Sequence, residues 1–86
     1  MLQTEVTTRV GTFVFSTARI SVDQVTGREE YETTITEPCG QIAKPVRRCL
    51  TQQRARQVHQ ESVDQLVEIE HGRAEIRSHP QEQPRS

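Results

Sequence analysis

Aromatic residues are almost missing from this chain of 86 residues, which contains no Trp, one Tyr and two Phe. Only 31% of its residues are apolar, so the core must be built mainly from Val, Ile and Leu. A chain of this length forms one domain and buries only about 60% of its unfolded surface. We expect its stability to lie at or below the low end of the usual ~5–15 kcal/mol. Self-association would bury further apolar area, which makes a homo-oligomer plausible.

Long hydrophobic runs are missing as well. No segment approaches the roughly 18 consecutive apolar residues of a membrane span, and the opening MLQTEVTTRV lacks the apolar core of a signal peptide. These absences predict a cytoplasmic protein that does not contact a membrane. Cys39 and Cys49 are then expected to be free thiols. A disulfide between them is the alternative, and it would require export.

Acidic residues are missing from one continuous segment, residues 38–60, which carries a net charge of +5. The segments before and after it each contain three arginines and six acids, net −3. This alternation is the strongest electrostatic signal in the sequence. The cations predicted to contact an anion or a partner are Lys44, Arg47, Arg48, Arg54 and Arg56.

The first half of the chain alternates apolar and polar residues, which is typical of strands with one buried face. Residues 2–10 and 12–22 predict two strands, and DQVTG at 23–27 predicts a hairpin loop that ends in Gly. Residues 28–36 predict the returning third strand. Proline and glycine interrupt the pattern after it, and VRRCL at 46–50 predicts a short fourth strand.

The second half predicts one helix from about Gln52 to His71. Thr51 is suited to the N-cap, because its hydroxyl can accept a hydrogen bond from an amide of the first turn. Apolar residues then recur at spacings of three and four, which places them on one face. We therefore predict an α+β fold: a three- to four-stranded antiparallel sheet, a β-meander, with one long helix packed on one face. Residues 1–72 form the domain and 73–86 a flexible tail, whose last eight residues are expected to be disordered.

His59 lies on the predicted apolar face of this helix, in a row with Thr51, Ala55 and Val63. The small side chain of Ala55 allows the helix to approach the sheet closely. We expect His59 to pack at the margin of that interface, with a ring nitrogen bonded to a backbone carbonyl. A ligand or metal role is the alternative.

Two short patterns resemble a group of small uncharacterised proteins found in actinobacteria and their phages. The first is Tyr31-Glu32-Thr33, and the second is RCLTQQRARQVH, in which Arg48, Thr51, Ala55 and His59 keep the group's spacing. Cys49 stands where an aromatic residue is more usual. The resemblance covers roughly residues 12–69 and implies the strand–helix order and a phage or mobile-element origin. It implies no activity and no catalytic residue.

Candidate chemistry in the sequence is weak, and we predict no enzyme, metal or cofactor. Glu30 and Glu32 share a strand face, but no nucleophile or base lies nearby in sequence to form a catalytic pair. Structural zinc sites bring ligands as close pairs, whereas here seven to eleven residues separate successive candidates. Those candidates are Cys39, Cys49, His59, His71 and His79. The arginines beside Cys49 would favour a thiolate, yet no catalytic signature accompanies it.

The function predicted from these features is that of a small non-enzymatic interaction module. It would act by self-association, or by binding a host protein or an anionic ligand through the five cations of residues 44–56. The alternative is a nucleic-acid-binding regulator that uses the same basic segment. Two features disfavour the alternative: no aromatic residues are interleaved with the cations, and the net charge of the chain is −1 rather than strongly positive.

Overall fold

The computed structural model describes residues 2–40 and 42–80 of the chain. It contains one helix and a five-stranded sheet. In chain order the elements are β1 (Leu2–Thr8), β2 (Gly11–Val22), β3 (Glu29–Thr36), β4 (Lys44–Cys49), α1 (Gln52–Ile69) and β5 (Glu75–Pro80).

The sheet has the strand order β4-β3-β2-β1-β5, and all neighbouring strands are antiparallel. The first four strands form a meander, and α1 then crosses one face of the sheet so that β5 can pair with β1. The helix packs on β1, β2, β3 and β4, whereas no described Cα atom of β5 lies within 8 Å of a Cα atom of the helix. The strand order makes β4 and β5 the two edges of the sheet, and β5 pairs with β1.

The predicted α+β class, the antiparallel meander and the single long helix are confirmed, but the number of strands differs. The structure has five strands where three or four were predicted, and β5 lies inside the segment 73–86 that was predicted to be a flexible tail. The six-residue strand contains a single large apolar residue, Ile76, so alternation could not reveal it. Residues 81–86 lie outside the described part of the chain.

The ends of β4 and α1 also differ slightly from the prediction. Strand β4 begins at Lys44 rather than at 46, and it includes Pro45. A register shift between Thr33 and Thr34 of β3 lies opposite this proline. A proline without an N–H is tolerated there because β4 is an edge strand with a bulge. The helix ends at Ile69 instead of His71.

Two small clusters form the core between α1 and the sheet. The first contains Val6, Phe15 and Val63, and the second contains Cys49, Ala55 and Val58. Val6 and Val63 of the first cluster are 0% and 1% exposed. Tyr31, which packs against the second cluster, is only partly buried. The core is therefore short of large side chains, as the composition indicates.

Local signals set the boundaries of two elements as predicted. The Asp23 side chain accepts hydrogen bonds from the amides of Val25 and Thr26, and Gly27 adopts a φ of 72° at the end of this loop. The Thr51 hydroxyl accepts from the Arg54 amide at 3.1 Å, which caps α1. Within the described residues, no helix is long and apolar enough to cross a membrane.

Candidate interaction site

Strand β4 is an edge strand with a neighbour on one side only, and most of its residues are exposed. All residues from Lys44 to Arg48 are exposed, and Cys49 alone points into the core. Two large apolar side chains are uncovered here: Val46 is 45% exposed and Leu50 is 66% exposed. We define the β4 edge surface as Val46, Arg47 and Leu50.

Three of the five predicted cations form ion pairs within the chain. Lys44 Nζ lies 3.3 Å from Glu37 Oε1, and Arg54 Nη1 lies 3.9 Å from Glu61 Oε1. Arg48 Nε donates to Glu32 Oε2 at 3.0 Å. The side chains of Lys44 and Arg48 are 64% exposed and that of Arg54 is 41% exposed, so each pair contributes little to stability.

Arg48 also contacts a second carboxylate, with Nη1 lying 3.5 Å from Glu30 Oε1. The hydrogen bond to Glu32, together with the charge of Glu30, raises the pKa of Arg48 above its ordinary value. Glu30 and Glu32 are therefore part of a cross-strand cluster on the solvated face of the sheet, as the alternation of β3 predicts.

Arg47 and Arg56 differ from these three, because neither guanidinium forms an ion pair or a side-chain hydrogen bond with another described residue. Both side chains are exposed. Arg47 is therefore available for a partner without breaking an ion pair with a described residue, whereas the charge of Arg56 acts on Tyr31.

The five cations do not share one direction. Arg48 lies opposite Glu32 on the face that α1 leaves open, whereas Arg47 lies opposite the buried Thr33 on the helix side. Arg54 and Arg56 are separated by about 200° around the helix axis. The basic segment is continuous in sequence, but in the structure its cationic side chains point to at least two different faces of the molecule.

A buried polar network lies between the centre of α1 and the sheet. His59 Nε2 is 2.8 Å from the Thr4 hydroxyl, and His59 Nδ1 is 2.7 Å from the Thr17 hydroxyl. Thr17 in turn lies 2.7 Å from the Thr33 hydroxyl. These four side chains are between 1% and 6% exposed. The network joins three strands to the helix.

The neutral imidazole suits this network. One ring nitrogen donates to a threonine oxygen while the other accepts from a threonine hydroxyl, so both nitrogens are satisfied in either tautomer. No carboxylate of the described residues bonds the ring, and burial lowers the pKa of His59 below its ordinary value. A buried histidine bonded to two threonine hydroxyls specifies how the helix packs on the sheet.

The buried, hydrogen-bonded state predicted for His59 is confirmed, but its partners and its depth differ. The ring bonds threonine hydroxyls rather than a backbone carbonyl, and it is 4% exposed rather than at the margin. Sequence reasoning missed the three threonines as partners. The alternation of β1 and β3 could have revealed two of them. Thr4 and Thr33 occupy positions on the buried face of these strands, where the neighbouring positions carry apolar residues.

The structure gives the state of the two thiols and bears on the candidate metal ligands. Cys39 and Cys49 are both free, as predicted; the former is exposed and the latter is buried. Among residues 2–40 and 42–80, no three His, Cys, Asp or Glu side chains are grouped so that they could hold a metal ion.

A shallow depression of about 330 Å³ lies at one end of the sheet and is lined by Val10, Phe13, Glu37, Pro38 and Cys39. The β1–β2 turn and the β3–β4 connection meet there. Gly11 has a φ of 130°, and a Cβ at this position would lie 2.6 Å from Pro38 Cβ. Gly11 therefore lets the β1–β2 turn approach Pro38 closely. The depression lies where these two segments meet, so packing of the fold accounts for it.

Comparisons of the chain with protein-family models, with curated proteins and with solved structures found no match. The resemblance to small actinobacterial and phage proteins therefore stays a prediction. Any functional proposal must rest on the exposed residues of the fold itself.

Proposed function

We propose that this chain is a non-enzymatic interaction module that binds an acidic protein surface through the β4 edge surface. The observation that carries the proposal is the combination of exposed Val46 and Leu50 with the unpaired Arg47. Protein interfaces are enriched in arginine and in apolar residues at their centre and depleted in lysine. The phage or mobile-element origin is part of this proposal, and the partner is then a host protein.

Side chains, rather than a strand added to β4, provide the proposed contact. Pro45 offers no N–H, and the bulge beside it interrupts the regular ladder. Arg47 projects a guanidinium that can bind a carboxylate through two parallel hydrogen bonds. The apolar side chains of Val46 and Leu50 supply area that is removed from water when a partner covers them.

Nucleic-acid binding is the second candidate, and the charge geometry supports it less well. Three of the five cations already contact carboxylates, and Arg47 and Arg48 point to opposite faces of the sheet. Binding to a phosphate backbone requires several cations on one face of the protein. Each phosphate contact that is missing reduces both the affinity and its salt dependence.

A titration with two matched peptides tests the proposal. A ¹⁵N-labelled sample is titrated with a peptide that alternates Glu and Leu, and separately with the same peptide carrying Lys in place of Glu. We expect amide shifts around residues 44–50 with the acidic peptide only. Arg47→Glu should weaken this binding at least fivefold, because it replaces attraction by repulsion.

Arg28→Glu is the matched control, because Arg28 is an exposed arginine in the β2–β3 loop and also lacks an ion pair with any described residue. It should leave the affinity unchanged. Equal binding of both peptides, or equal weakening by the two variants, would refute the proposal. Salt-sensitive binding of single-stranded DNA that requires Arg47 would favour the second candidate.

A further inference from the structure

The two edges of the sheet differ in how open they are to another strand. At the β4 edge, a proline and a register shift interrupt the backbone ladder. Strand β5 contains no proline before its last residue, no lysine and no register shift in its pairing with β1. Unprotected edge strands present unpaired N–H and C=O groups and readily pair with a second chain.

The sequence at the centre of β5 is complementary to itself. In an antiparallel pair related by a two-fold axis at Ile76, residue 75 of one chain lies opposite residue 77 of the other. Glu75 then faces Arg77 of the second copy, and the same pair forms again across the axis. Both side chains are 71% exposed, with 3.9 Å between Arg77 Nη2 and Glu75 Oε1 inside one chain.

The apolar residue of the strand lies on the axis of this pair. Ile76 is opposite Val6 of β1 and lies on the same face of the sheet as α1. The side chain of Ile76 is 46% exposed. No Cα atom of α1 lies within 8 Å of a described Cα atom of β5, and about half of Ile76 is uncovered on this side of the strand. Ile76 of a second copy would cover it, which adds apolar burial to a lean core.

We propose that two copies of this chain dimerise through β5, with the two-fold axis at Ile76, so that the two five-stranded sheets become one continuous sheet. This interface is separate from the β4 edge surface and goes beyond the function proposed above. The strand has only six residues, so the interface is at the small end of specific contacts. We expect a dissociation constant of about 1–100 μM.

Charge reversal at residues 75 and 77 tests both the edge and the register. Sedimentation equilibrium is measured at 5–500 μM chain for the unmodified protein, Glu75→Arg, Arg77→Glu and the double variant. Each single reversal places like charges opposite each other twice and should weaken dimerisation by about tenfold or more. The double variant should dimerise like the unmodified protein. An equimolar mixture of the two single variants should form a heterodimer.

A monomeric unmodified protein at 500 μM would overturn the proposal. It would also be overturned if either single reversal left the dimer unchanged, or if neither the double variant nor the mixture restored it. Because Arg77 also lies opposite Glu5 of β1, circular dichroism must show that each variant is folded.

Cross-linking tests the axis without changing a charge. In a Cys39→Ala background, Ile76→Cys should form a disulfide-linked dimer under mild oxidation, because directly opposed residues have Cα atoms about 4.5–5.5 Å apart. Val25→Cys is the control, since Val25 is 94% exposed in a distant loop. Cross-linking of the control as fast as of Ile76→Cys would contradict the proposed axis.

Discussion

His59→Leu is the substitution that tests the buried network most directly. Leucine has a volume similar to that of imidazole, so the cavity left behind is small. The change removes the 2.8 Å bond to Thr4 and the 2.7 Å bond to Thr17. Thr17 keeps its bond to Thr33, whereas no other described side chain bonds the buried Thr4 hydroxyl.

The expected loss of stability is about 2–3 kcal/mol, because one buried hydroxyl is left unsatisfied and two hydrogen bonds are lost. In a domain of this size, that corresponds to a fall in Tm of roughly 10–20 °C. Urea denaturation followed by circular dichroism measures the change in the free energy of unfolding.

A double-mutant cycle separates the network from simple packing. Thr4→Val removes the hydroxyl that His59→Leu leaves unsatisfied, so the double variant should be about 1–2 kcal/mol more stable than the sum of the single changes predicts. Thr7→Val on the same strand is the control, because Thr7 bonds only the exposed Thr12 hydroxyl. Its effect should add to that of His59→Leu within about 0.5 kcal/mol.

The pH dependence gives an independent measurement on the same residue. Burial lowers the pKa of His59 in the folded state, so the unfolded chain binds a proton more readily. The contribution of His59 to stability should therefore be constant above about pH 6.5, the ordinary value, and decrease as the pH falls from there towards the lower pKa of the folded state. His59→Leu should abolish this fall, whereas replacement of the exposed His71 by Gln should retain it. Equal pH dependence with and without His59, or strict additivity in the cycle, would refute the assignment.

Three further predictions concern turns, thiols and the helix cap. Gly11→Ala should destabilise the fold by roughly 1–3 kcal/mol, since the new methyl group would lie 2.6 Å from a proline and φ is 130°. Gly27→Ala should destabilise it less, because φ is positive but no atom lies near the new methyl group. Urea titrations of the two variants measure the difference. A thiol reagent should label Cys39 in the folded protein, whereas Cys49 should react only at the rate of unfolding; equal rates would contradict the core. Thr51→Ala should cost about 1 kcal/mol in thermal unfolding, and no change would contradict the cap.

The features predicted correctly from the sequence depend on contacts between residues near each other in the chain. The β2–β3 hairpin follows from Asp23 and Gly27, and the start of α1 follows from Thr51. Periodicity placed His59 on the buried face of the helix, which the structure confirms.

The features that sequence reasoning missed depend on register between distant segments. Strand β5 exists because β1 offers a free edge, and its own residues, EIRSHP, alternate too weakly to reveal a strand. The partners of His59 come from β1 and β2 and a third threonine of the network comes from β3, and only the pairing of those strands brings Thr4, Thr17 and Thr33 to one place. Likewise, the ion pair of Arg48 with Glu32 follows from the β3–β4 register rather than from composition.

The position of β1 has a consequence for folding during synthesis. Its two neighbours, β2 and β5, lie at opposite ends of the sequence, and Leu2 is paired with Pro80. A nascent chain can complete the meander and the helix while one side of β1 is still without its ladder. Contacts of such high sequence separation form slowly. Until β5 has been synthesised, β1 therefore has only its ladder with β2 in the sheet.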